Sequence, residues 1–345
     1  MRSSRWKNLL GPIALLISSI ALMAIAGELI LRLLGHRGVP QSTISNIYAV
    51  DDPVLDWRYV PNSQVTLGRV VYRFNAVGFR DRDHVVEKPA GTTRIVVLGD
   101  SVTEGAGVEW ESVFAATLQS RLGTRFEVIN VAASGLNTPQ EVHLLEREGL
   151  RYKPDRVILN FVLNDCDFFT SFKGAARFAA EKDATIGLLG VSISPRLKRL
   201  LKSSALIYFL KERLENAKAR LMGQEETDYF TSLWNKAENR AKVVSSFDKL
   251  SDLARRHHFE VVVVIWPLVT DYARYAFTPV HGWVKEQAEK HGFVTVDLLP
   301  AFSRIPYRNL QLSAEDNVHP NSLGHQLAVD TLLALRPPPL QESGR

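Results

Sequence analysis

Arg94-Ile95-Val96-Val97-Leu98-Gly99-Asp100-Ser101-Val102-Thr103-Glu104-Gly105 is the stretch on which the fold turns. Its first five residues are mostly β-branched, and successive side chains from Ile95 onward are apolar. A strand built from them has no face suited to water, which is the mark of a parallel sheet covered by helices on both sides. Four further runs share this character: 126–131 (FEVINV), 156–161 (RVILNF), 259–266 (FEVVVVIW) and 293–298 (FVTVDL). Helical patterns separate them at 110–122, 139–150, 236–257 and 279–291, and a last one closes the series at 322–335. This alternation predicts an α/β fold with a doubly wound, parallel five-stranded sheet, whose site lies at the carboxyl ends of the strands.

The rest of the chain sets bounds. Its 345 residues suit one large or two modest domains. With 46% hydrophobic and 23% charged residues it is ordinary globular protein, neither mainly disordered nor polytopic. A single cysteine, Cys166, excludes an intramolecular disulfide framework and any cysteine-rich zinc module. Residues 9–26 (LLGPIALLISSIALMAIA) contain no charge. As a helix they would span about 27 Å, close to a hydrocarbon core. Arg2, Arg5 and Lys7 precede them, which predicts a signal-anchor over 1–35 that contacts the membrane through 9–34. The N-terminus then stays inside and the remainder faces the extracytoplasmic side. Glu28 and Arg32, one turn apart, are placed to pair. Ala24-Ile25-Ala26 has the small-x-small form of a cleavage site, so a cleaved, secreted form is the alternative. The length of the apolar run favours the uncleaved anchor.

Residues 36–93 read as a small β-rich lead-in with runs such as 64–67 and 70–74. The main domain is expected over 94–336, interrupted by a helical insertion at about 168–235 and followed by a disordered tail at 337–345. Within the insertion, residues 196–220 carry eight Lys or Arg against two Glu. That segment reads as a cap over the site, as a basic surface toward anionic lipid or glycan, or as a solvated helical insertion. Export and the lack of any binding module exclude nucleic acid as a partner.

Ser101 stands where a strand gives way to a turn and a helix, a place where a nucleophile meets backbone N–H groups able to receive an oxyanion. The motif is not G-x-S-x-G, because Thr103 occupies the second glycine position. Near the other end, Asp316-Asn317-Val318-His319 precedes the last helix. Asp and His three apart can share a turn, so that the carboxylate orients an imidazole whose other nitrogen faces Ser101. Two more loops follow predicted strands. Gly135 offers a backbone N–H and Asn164 a side-chain N–H, which with the Ser101 amide would make a three-donor oxyanion hole; turn glycine and turn asparagine are the plain alternatives. His257-His258 ends a helix, His325 lies within the last helix and reads as structural, Cys166 adjoins Asp165 without a separate base, and Trp266 is a candidate pocket wall.

Taken together, these blocks resemble the SGNH (GDSL) hydrolase family: Gly99-Asp100-Ser101, Gly135, Asn164-Asp165 and Asp316-x-x-His319 occur in its order. The resemblance covers about 94–335, and Asn75-Ala76-Val77-Gly78-Phe79-Arg80 is similar to the stretch preceding this domain in exported bacterial members. It implies a flavodoxin-like sandwich, a Ser101-His319-Asp316 triad and ester hydrolysis or acyl transfer, with no cofactor and no metal. Val162 stands where the family usually has glycine, so its bulk either narrows the acyl pocket or is absorbed by the strand. The function expected is a serine esterase acting on O-acyl, above all acetyl, esters of carbohydrate or lipid in the envelope. The alternatives are an O-acyltransferase using the same triad and a non-catalytic glycan-binding or assembly protein.

Overall fold

The computed structural model describes residues 3–34, 54–55, 58–67, 69–166, 204–207, 209–210, 213, 223–314 and 316–335, with strand fragments at 48–49, 187–188 and 191–192. The predicted tail, most of the basic stretch and much of the insertion lie outside them. The chain groups into two units, one from 1–45 with 184–221 and one from 46–183 with 222–345.

In the first unit a helix, α1 (Ser3–Leu33), runs unbroken through Pro12. Glu28 Oε1 accepts from Arg32 Nε at 2.6 Å, as the spacing predicts. The same carboxylate also accepts from Ser204 Oγ and from the Ala205 and Leu206 amides. Leu15, Leu16, Leu22 and Met23 are exposed. Among the described residues no helix is long and apolar enough to cross a membrane; several side chains of the α1 apolar run lie outside that set.

The second unit holds the sheet. Its lead-in supplies an antiparallel hairpin of β1 (Gln64–Leu67) and β2 (Val70–Arg73). The sheet strands are β3 (Thr93–Gly99), β4 (Phe126–Ala132), β5 (Arg156–Phe161), β6 (Glu260–Ile265) and β7 (Val294–Asp297). They lie in the order β7-β6-β5-β3-β4, all parallel. Order reverses between β3 and β5, the topological switch point at which open α/β sheets place their sites.

Because strand side chains alternate in direction, these apolar runs feed two cores. Val96, Leu98, Leu159, Phe161, Val263 and Ile265 join one; Ile95, Val97, Ile158, Val262 and Val264 join the other. The first core is covered by α4 (Thr138–Arg147) and α6 (Ala237–His257), through Val142, Leu145, Phe247 and Leu250. The second is covered by α3 (Phe114–Leu122) and by α9 (Ser322–Ala334), which follows α7 (Thr278–Lys290) and α8 (Leu299–Phe302), through Phe114, Leu118, Val329 and Leu332. Burying each such side chain contributes roughly 1.5–3 kcal/mol. Lead-in residues Tyr59, Phe74 and Phe79 belong to the first core, as do Phe230, Leu233 and Trp234 from α5 (Gly223–Asn235) at the end of the insertion.

Two sequence readings need correction. The helix expected from Trp110 begins only at Phe114, because Val113 is extended (φ −70°, ψ 149°) and leaves a separate short turn over Trp110–Ser112. Trp266 does not line a pocket. It is 1% exposed and packs edge-on against Phe114 and Phe302.

Candidate active site

The turn after β3 explains itself from its residues. Gly99 holds φ at +154°, and a Cβ there would overlap the Thr103 side chain and crowd the Asn160 carbonyl. Asp100 is the N-cap of α2 (Ser101–Glu104): its carboxylate accepts from the Val102 amide at 2.9 Å, the ordinary cap bond of a short polar side chain. Gly105 ends the turn in the left-handed conformation at φ +86°. Ser101 is thereby set on the first turn of a helix, at the end of a buried strand.

The Asp316–His319 loop is fixed from both sides. Leu312 N donates to His319 O, Val269 N donates to Asn317 O, and the Gln311 amide donates both to Val269 O and to Asn317 Oδ1. Asp316 Oδ1 accepts from the Val318 and His319 amides at 3.0 and 2.8 Å. Asn321 caps α9 behind the loop.

These elements bring the predicted residues together. Ser101 Oγ lies 2.8 Å from His319 Nε2, across 218 positions of chain. His319 Nδ1 lies 2.9 and 3.1 Å from the two Asp316 oxygens. With Asp316 accepting, Nδ1 carries the proton and Nε2 is left as the acceptor facing the serine. Burial by itself pulls the imidazole pKa down, but the Asp316 hydrogen bond and charge outweigh it, so His319 stands above an ordinary histidine. Burial likewise pushes Asp316 up, and the His319 contacts and two backbone N–H bonds bring it below the usual carboxylate range. A hydroxyl, an imidazole and a carboxylate in this series can activate the hydroxyl for attack on an acyl carbon and return its proton to a leaving group.

The predicted oxyanion donors have different settings. Gly135 is exposed with φ +73° and open space where a Cβ would stand. Asn164 Nδ2 donates to Asp100 Oδ2 at 2.7 Å. An amide nitrogen has two hydrogens, so this bond orients the group and leaves one donor. Val162, in place of the expected glycine, is 1% exposed and packs in the second core, so its bulk is absorbed there. His325 is structural: it accepts from the Phe114 amide, and desolvation pulls its pKa down to about 3. Cys166 is fully buried, and His258 caps α6 at φ +58°. Among the described residues no group of three or more His, Cys, Asp or Glu is arranged to hold a metal ion.

Three residues have roles that the sequence reading does not assign. Asp100 links the serine turn to Asn164; its position before a helix was the available signal. Glu104, one turn beyond Ser101, is 2% exposed and accepts from Tyr59 OH and from Ser134. Arg80, 1% exposed, donates to the carbonyls of Glu104, Gly105 and Val108, with its guanidinium 4.1 Å from the Tyr72 ring centroid. Nothing local marks Glu104, and Arg80 is marked only as the end of the Asn75–Arg80 stretch; the partners of both are far away in sequence.

Comparison with known proteins bears on the whole domain. No curated protein matches the sequence. Solved structures similar to it include an alpha/beta hydrolase from the metagenome of Lake Arreo, Spain (18% identity, 71% of this chain and 95% of that one, TM-score 0.42). A lipase/acylhydrolase from Enterococcus faecalis is similar at 17% identity (70% and 94% covered, TM-score 0.39). A carbohydrate acetylesterase family member from Sinorhizobium meliloti is similar at 14% (70% and 95% covered, TM-score 0.38). The assignment rests on residues 97–327, about two thirds of the chain, which match the GDSL-like Lipase/Acylhydrolase family. By that match the chain belongs to the GDSL-like lipase/acylhydrolases and is an ester-hydrolysing enzyme.

Proposed function

We propose that the chain is a membrane-anchored, envelope-facing serine esterase that removes acyl groups, acetyl foremost, from O-acylated glycans. The carrying observation is the 2.8 Å approach of Ser101 Oγ to His319 Nε2, with Asp316 on the other ring nitrogen. Ser101 Oγ bonds to the ester carbonyl carbon while its proton passes to His319 Nε2. The resulting oxyanion is held by the Ser101 and Gly135 amides and the free Asn164 N–H. The carbon–alkoxide bond then breaks, and His319 returns the proton to the departing sugar hydroxyl. Water, deprotonated by the same nitrogen, releases the acyl group and restores Ser101. The anchor reading is supported by Arg2, Arg5 and Lys7 ahead of the uncharged stretch 9–26 and by the exposed apolar side chains along α1. Substrate choice follows from the family's chemistry and that placement.

The test is hydrolysis of p-nitrophenyl acetate and release of acetate from acetylated polysaccharide. Ser101→Ala is expected to lower kcat by on the order of 10⁶-fold. Retained turnover in that variant overturns the assignment of the nucleophile. For the anchor, the full chain is expected to stay with alkaline-washed membranes, and recovery in the supernatant overturns it.

A further inference from the structure

The buried carboxylate of Glu104 has no part in the chemistry above, yet it joins three pieces of the molecule at one oxygen. Its Oε2 accepts from Ser134 N at 2.6 Å, from Ser134 Oγ at 2.7 Å and from Tyr59 OH at 2.7 Å. Glu104 is on α2, the same four-residue helix that begins with Ser101, and Gly105 N donates back to Ser101 O, so the two residues share one rigid turn. Ser134 is the residue before Gly135, and the Gly135 N–H belongs to the peptide between them. Two bonds from one serine to one oxygen fix both its backbone nitrogen and its side chain. The orientation of the following peptide is then set relative to the serine turn. Gly135 needs such a restraint: it is exposed, at φ +73°, with nothing within 4 Å of a notional Cβ. The third donor is equally well held. The Tyr59 ring stacks on Phe74 with centroids 3.9 Å apart, and both are buried. Arg80 grips the other end of α2 by donating to the Glu104 and Gly105 carbonyls.

We infer that Glu104 is a positioning residue, which through Ser134 sets the Gly135 amide against Ser101, with Tyr59 of the lead-in holding the carboxylate in place. The inference rests on the oxyanion role given to Gly135 above. An amide displaced by a fraction of an ångström loses its bond to the transition state while leaving the bound ester little affected. Misplacement of this kind costs up to about 10²-fold in rate.

The experiment uses the full chain with p-nitrophenyl acetate, counting active sites by fluorophosphonate labelling so that misfolded protein does not enter kcat. Glu104→Gln is expected to lower kcat per site by about 10- to 100-fold with KM within about twofold. Tyr59→Phe and Ser134→Ala, which each remove one donor and little volume, are expected to lower kcat by about 3- to 10-fold, again without change in KM. These two carry the test should Glu104→Gln fail to fold. Asn164→Ala is measured alongside. If it loses kcat while the Glu104, Tyr59 and Ser134 variants keep theirs per labelled site, the positioning role is wrong and the oxyanion reading stands. If all four keep kcat, the oxyanion reading itself falls. Loss of KM with kcat intact also overturns the inference.

Discussion

In the proposed mechanism, His319 carries the pH behaviour of the enzyme. Its imidazole must be neutral at Nε2 to accept the Ser101 proton, and Asp316 holds its pKa above the ordinary value despite burial. The acid limb of kcat/KM is therefore expected above about pH 6.5, the value of a free histidine. Asp316→Asn should move that limb downward and lower kcat by about 10⁴-fold, measured as a pH–rate profile. Asn164→Ala should cost about 10²–10³ in kcat, read from initial rates at saturating ester. At this scale the sequence is readable where chemistry and chain position coincide. A serine after a buried strand and an Asp-x-x-His before a helix declare themselves. Glu104 and Arg80 do not, because a buried charge is explained only by partners that the fold delivers, here Ser134, Tyr59 and three carbonyls.

The strands were legible as elements because both their faces are apolar, and the helices because their polar and apolar residues alternate with helical period. What escaped was context. Val113 breaks a helix by backbone conformation alone, and Trp266, read as a wall, is the centre of an aromatic cluster beneath the sheet. The lead-in also does more than its short strands advertise. Arg80 donates to three buried carbonyls at the turn after α2 and covers Tyr72, whose hydroxyl accepts from Gly107 N. Arg80→Met keeps much of the volume but strips those bonds. It is expected to lower unfolding free energy by about 3 kcal/mol or more, checked by urea denaturation.

Across the catalytic unit as a whole, parallel strands gather their carboxyl ends on one edge, which is how residues 218 positions apart come within hydrogen-bonding distance. Behind that edge lie two fully buried acids, Glu141 and Asp165. Burial raises both well above the carboxylate range, reinforced by Asp100 beside Glu141 and by Glu141 and Asp100 beside Asp165. The folded protein thus holds these protons more tightly than the unfolded chain. Their contribution is complete below the unfolded values near pH 4 and is lost as pH rises toward the folded ones. Glu141→Gln is expected to flatten the decline of stability between pH 5 and 8, measured by urea unfolding across that range.

The grip of Arg80, Tyr72 and Tyr59 on the Ser101 turn has a practical corollary. A minimal fragment cut where the family match starts, at residue 97, would amputate a strand and strip the turn of its upstream supports. Even one begun at residue 90 would leave three carbonyls without the Arg80 donor and Glu104 without its Tyr59 bond, next to Ser101. The smallest autonomous catalyst should therefore start upstream of residue 58, and limited proteolysis between 58 and 90 should silence the enzyme without touching any reacting group.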